Sequence, residues 1–235
     1  MKKTTLLALL IPCVTFLTGC IIYPHATDIP LIQEKNDLRI DAGVSTAATA
    51  NATFSYGLTE KIALQGFGNY GADQNYFQGA VGYYKKSANN TVWEWYTGLG
   101  RGYADAYNDA NPGDLVGNYN LGFTQFNLGK VNSRFAHADY GLSFKTGFLR
   151  THLTDENYFN IYHSGEDAIN YQFPDLKVNN LLFQPTAFVR IGGENLKFDL
   201  KVGTLCLYKF SHRDKRLTVS HLNEGVGINY SFRRS

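Results

Sequence analysis

Disulfide chemistry has almost no material here. The 235 residues hold three cysteines, Cys13, Cys20 and Cys206, and the first two fall in an amino-terminal stretch of their own, so Cys206 lacks an intrachain partner. Long apolar runs are also missing. After residue 19 no segment reaches the roughly eighteen consecutive apolar residues of a membrane-spanning helix, and no amphipathic helix of useful length can be traced. Net charge is the third scarcity. Twenty-two basic residues face twenty acidic ones, and loss of Lys2 and Lys3 with an export signal would bring the two to parity. That leaves no basic footprint for nucleic acid. A chain so composed can cross a bilayer only with strands.

The first twenty residues, MKKTTLLALLIPCVTFLTGC, set two lysines before an apolar run from Leu6 to Leu17 and end on small residues before Cys20. This is the layout of an export signal. Its last four residues, Leu17-Thr18-Gly19-Cys20, resemble the lipobox of bacterial lipoproteins, which implies cleavage before Cys20 and acylation of that cysteine. Several acyl chains on one residue anchor a protein stably, at about 0.8 kcal/mol per buried methylene. Residues 1–19 are therefore expected to be a lipoprotein signal peptide, 20–36 a lipidated extended tether containing Pro24 and Pro30, and 37–235 the folded domain.

Within that domain the residues alternate. In AHADYGLSFKTGFLR, residues 136–150, one face of an extended chain carries Ala136, Ala138, Tyr140, Leu142, Phe144 and Phe148, and the other His137, Asp139, Ser143 and Lys145. LRIDAGVS, ANATFSY and LKFDLKV repeat the pattern, and further strands are expected from near Lys61, Tyr76, Thr91, Val116, Leu181, Asn195 and Asn223. Ten strands result. GLTEK, KKSANN, GKVNSR and GGEN follow the second, fourth, sixth and eighth as short turns, whereas three long connections, near residues 105–115, 152–179 and 209–222, follow odd strands. Short periplasmic turns, longer outer loops and an even strand number characterise outer-membrane barrels. The expected fold class is all-β: a closed antiparallel up-and-down transmembrane β-barrel of about ten strands, with eight to twelve compatible. Trp93 and Trp95 would share the lipid face near the periplasmic side, with Tyr56, Tyr83 and Tyr230, while Tyr70 and Tyr208 mark the outer side.

The polar face then lines the lumen. Arg39, Asp41, Glu94, His137, Asp139, Lys145, Arg190, Lys197, Asp199 and Lys201 are the expected lining, and their mixed signs suggest an internal ion-pair network that either shuts the barrel or surrounds a narrow pore. His137, Asp139 and Ser143 invite a hydrolase reading similar to outer-membrane proteases and lipid A-modifying enzymes, but along one strand they are too spread to form a nucleophile and its base. No catalytic residue is assigned. No cofactor or metal is expected either, since His152, His163, His212 and His221 show no ligand spacing. Tyr158, Phe159, Tyr162, Tyr171 and Phe173 make the loop near 152–179 the expected contact for an envelope protein or glycan; membrane lipid is the other partner. Pro185, inside LLFQPTAFVRIG, lacks an N–H and should bring a bulge or an interrupted ladder.

Tyr23-Pro24, Pro30-Leu31 with Glu34-Lys35, the segment GLTEKIALQGFGNYG at 57–71 and the closing GVGINYSFRRS together resemble the lipobox-bearing outer-membrane β-barrel proteins of the Bacteroidetes. The resemblance covers about the first third of the chain and its last strand. It implies a barrel in the envelope of a Gram-negative bacterium and no reaction. The expectation is a lipid-anchored outer-membrane barrel with a structural, accessory or narrow-pore role. The alternatives are a soluble, lipid-anchored periplasmic barrel around a small apolar ligand, and an outer-membrane hydrolase or lipid A-modifying enzyme.

Overall fold

Alternation over short segments, punctuated by turn residues, commits the chain to strands, and strands with one apolar face must close or stack. In a computed structural model, which describes residues 28–45, 49–71, 74–108, 113–132, 137–155, 176–210 and 222–232, they close. The strands are β1 (Leu38–Ser45), β2 (Ala50–Gly57), β3 (Ile62–Tyr70), β4 (Gln74–Lys86), β5 (Thr91–Asn108), β6 (Gly113–Lys130), β7 (Asp139–Asp155), β8 (Leu176–Gly192), β9 (Leu196–Thr204), β10 (Cys206–Lys209) and β11 (Leu222–Phe232). From β1 to β9 each strand pairs antiparallel with its sequence neighbours, β10 continues the pairing along β8, and β11 joins β9 to β1. Because β9 and β10 are two halves of one strand, the result is a ten-stranded closed up-and-down barrel without helices among the described residues.

The break between those halves comes from Pro185. Phe183 pairs Cys206 and Thr186 pairs Gly203, so the register is unchanged across the gap and no bulge is present. Pro185 remains paired with Phe144 on its other side. Its carbonyl faces Gly203, the side on which its N–H would have completed the ladder. Of the two outcomes expected there, the interrupted ladder is the one found.

Short turns close one end. Leu58 and Thr59 donate backbone N–H groups to the Ile62 carbonyl, Ser87 to Thr91 and Gly193 to Leu196. Asn90 and Asn132 take positive φ (61° and 46°), a conformation their short polar side chains tolerate. Both Leu38 and Phe232 lie at this end, because an even number of strands returns the chain to its starting side.

Strand lengths divide the wall in two. β1, β2 and β3 have eight or nine residues, close to the roughly nine to eleven that span a bilayer when tilted. β5 to β8 have 17 or 18. These four continue past their neighbours toward the end away from the short turns and form one tall side. The expected loops near 105–115 and 152–179 were drawn too wide for this reason: β5 runs to Asn108, β6 begins at Gly113, β7 runs to Asp155 and β8 begins at Leu176.

Candidate functional site

Polarity changes along the tall side, and it changes on both faces. Near the short turns, the outward row Trp95–Phe126–Phe144–Pro185 runs across β5 to β8, with Trp93–Leu128–Leu142–Ala187 below it. Tyr140, Leu142, Phe144 and Phe148 are all exposed, as are Leu99 and Phe198, each at 75%. The inward rows behind them are polar: Tyr96–Gln125–Lys145–Gln184 and Glu94–Asn127–Ser143–Thr186. Further along, the outward row becomes Arg101–Asn120–Arg150–Asn179, and the interior fills with Tyr76, Tyr119, Leu121, Phe123, Leu149, Leu153, Val178 and Leu182. A barrel segment with a polar inside and apolar outside suits lipid, and one with the reverse pattern suits water.

The glycines of GLGRG make the second packing possible. Gly98, Gly100 and Gly102 point inward from β5, and any Cβ at these positions would collide with Phe123, Tyr76 or Tyr119 respectively. Their absence of side chains lets Tyr76 and Tyr119 stack across the interior with ring centroids 5.7 Å apart. The motif is a seat for aromatic rings.

In the polar part, the interior is occupied by the chain itself. Residues 28–33, expected as the end of a free tether, lie inside the barrel, and Ile29, Leu31 and Ile32 are fully buried. A backbone segment so placed must have its amides satisfied by side chains, since no ladder is within reach. Glu94 does this: its carboxylate accepts from Leu31 N at 3.1 Å and Ile32 N at 2.6 Å, and from Asn127 Nδ2 at 2.9 Å. Leu31 holds φ at +55°, an uncommon conformation for a branched side chain, which turns two successive N–H groups toward one acceptor. The segment's carbonyls are used as well. Arg39 Nη1 donates to Pro30 O at 2.9 Å, Arg190 Nη2 to Ile29 O, and Gln125 Nε2 to Asp28 O. Ile29 and Leu31 also pack on Val92, Val131 and Phe188.

Around this strap runs a network of ion pairs. Arg190 meets Asp41 and Asp199, both at 3.3 Å, while Lys201 meets Asp199 at 3.0 Å. Lys197 pairs with Asp139, and Arg39 with Asp37 at 3.2 Å. Lys145 donates to Gln78 at 2.6 Å and lies 4.3 Å from the Phe123 ring centroid. Asp28, at the start of the strap, is buried as well, at 1% exposure.

Nine of the ten expected lining residues, Arg39, Asp41, Glu94, Asp139, Lys145, Arg190, Lys197, Asp199 and Lys201, thus lie in the interior. His137 does not. It is exposed, with φ +49°, in the turn before β7, because that strand begins at Asp139 and the alternation has no hold on residues before it. The grouping of His137, Asp139 and Ser143 also dissolves: Asp139 holds Lys197 and the Asn132 N–H, and Ser143 donates to Asn127 at 2.7 Å. His152 projects outward from β7. Cys20, His163, His212, His221 and the loop aromatics Tyr158, Phe159, Tyr162, Tyr171 and Phe173 lie outside the described residues. Among the described residues no group of three or more His, Cys, Asp or Glu side chains could hold a metal ion.

Sequence reasoning missed the strap. Its signal was available in IPLIQ, an apolar patch too short for a helix and too hydrophobic for a solvated tether. No family model, curated protein or solved structure matches the chain.

Proposed function

We propose that this protein is an outer-membrane barrel, anchored through lipidated Cys20, whose bore is closed by its own strap, so that it serves as a membrane-embedded structural or accessory platform and not as a conduit. One observation carries the reading: an outward apolar band backed by a charged, hydrogen-bonded interior. Along β7 the band runs from Tyr140 to Phe148, about 27 Å at ~3.4 Å per residue, or about 20 Å along the axis at the usual ~40° tilt. That approaches the ~25 Å apolar height of outer-membrane barrels. In water, the same band would be an exposed apolar surface far larger than monomers tolerate.

The closed bore is supported from two directions. The strap and its ion pairs fill the barrel near the short turns, and the stacked tyrosines with their leucine neighbours fill it beyond. A soluble barrel around an apolar ligand would need an apolar interior behind Phe144 and Leu142. That place holds Lys145, Gln125 and Ser143.

The test combines three measurements on the full chain. Compact mobility on an unboiled detergent gel and retention in the pellet through carbonate extraction are expected of an integral barrel; release into buffer as a folded monomer would refute membrane insertion. Planar-bilayer recordings should show no steady conductance, and a stable open channel would refute closure. Replacement of Cys20 by Ser should abolish acyl labelling yet leave the barrel in the membrane.

A further inference from the structure

The outward face of the tall side carries basic residues at the place where its apolar band stops. Arg101 on β5 and Arg150 on β7 stand in one cross-strand row, separated by Asn120 and followed by Asn179 on β8. Two strand spacings put their backbones about 10 Å apart. Both are exposed, and neither makes an ion pair among the described residues. Beneath and beside them lies apolar and aromatic surface: Leu99, Phe148, and Phe210, whose N–H is bonded to the Asn179 carbonyl. Phe148 and Phe210 stack at 6.1 Å, and Tyr208 meets Phe210 edge-on at 5.5 Å.

Among the described residues the distribution is one-sided. At the corresponding end of the short side, the outward positions of β1, β2, β3 and β11 are Val44, Ala50, Tyr70 and Glu224, none of them arginine or lysine. Among the described residues, outward arginine at this level is therefore confined to the tall side. Arginine in particular offers a planar fork that binds phosphate oxygens bidentately. Placed directly above a surface that fits acyl chains, such a pair meets headgroups rather than bulk water.

We propose that Arg101 and Arg150, with the Tyr208–Phe210–Phe148 cluster below them, form a site for a lipid with a phosphorylated saccharide headgroup in the outer leaflet, of the lipid A type. The guanidinium groups take the phosphates, the asparagines between and beside them bond sugar hydroxyls, and the aromatic surface packs the first part of the acyl chains. The inference rests on the membrane reading above.

The probe is bis-phosphorylated lipid A, compared with the same lipid after enzymatic removal of both phosphates, each added to the folded full-length barrel in neutral detergent and scored by native mass spectrometry. Phosphorylated lipid should be retained and the dephosphorylated form should not. At about five-fold per basic residue near an anionic surface, R101Q/R150Q should weaken retention roughly twenty-five-fold, while R101K/R150K should recover part of it. K85Q/K130Q, toward the opposite rim, should leave retention unchanged and serves as the control for general charge loss. All variants must keep their heat-shifted gel mobility. Equal retention of both lipids, or by wild type and R101Q/R150Q, on a barrel that is demonstrably integral overturns this site alone. A protein that stays folded in buffer without detergent overturns the membrane reading, and the site with it.

Discussion

The two parts of the tall side use the same strands to opposite ends. Near the short turns, β7 turns Tyr140, Leu142 and Phe144 outward and Asp139, Ser143 and Lys145 inward; from Leu149 on it turns Arg150 and His152 outward and Leu149 and Leu153 inward. Neither the hydrogen-bond ladder nor the register changes between the two, since β6 and β7 stay paired from Lys130–Tyr140 to Leu115–Asp155. Only the side chains are exchanged. The difference teaches that strand geometry is indifferent to its surroundings, and that the medium on each face is recorded in the alternating residues alone. It also separates two ways of filling a bore. One part is held by charge pairs and by amides bonded to carboxylate, the other by rings and aliphatic side chains, and these should fail differently under substitution.

The largest effect should come from the polar part. Arg190→Met leaves Asp41 and Asp199 with Lys201 alone between them and frees the Ile29 carbonyl, so a loss of about 4 kcal/mol in urea unfolding from detergent micelles is expected. A loss under about 1 kcal/mol would mean that the network is not what holds the strap. The next contrast locates the boundary between the two parts. Phe144→Arg, in the middle of the apolar band, should cost about 3 kcal/mol in membrane-inserted protein, whereas Asn120→Arg should be nearly neutral; similar costs for both would erase the distinction. In the apolar interior, Leu149→Ala opens a cavity and should lower stability by about 2.5 kcal/mol in the same assay. The smallest effect is a gain. Pro185→Val restores one N–H facing β9, and thermal melting should report stabilisation of about 0.5–1 kcal/mol. Destabilisation there would indicate that the interruption is itself needed.

Much of the barrel can be read along the chain because a strand's two faces are encoded locally. The alternation around Phe144, the turn segments GLTEK and KKSANN, and the parity of long and short connections need no tertiary information. Pro185 is equally local, since a missing N–H interrupts whichever ladder it enters. His137 was misplaced because alternation alone does not say where a strand starts. In the interior, the residue type was legible and the partner was not. Glu94 is an inward acid by its position, yet nothing near it in sequence indicates that it holds Leu31 and Ile32, sixty-three and sixty-two residues away.

What the sequence determined by itself is therefore the class of the fold and the side on which each side chain lies, because a period of two is a property of neighbouring residues. Only the closed tertiary structure decided that residues 28–33 enter the bore, that GLGRG seats two tyrosines, and that Arg101 and Arg150 share a row. Each of these depends on which strands lie side by side and on how much room they enclose. Such distances exist only once the sheet has closed on itself.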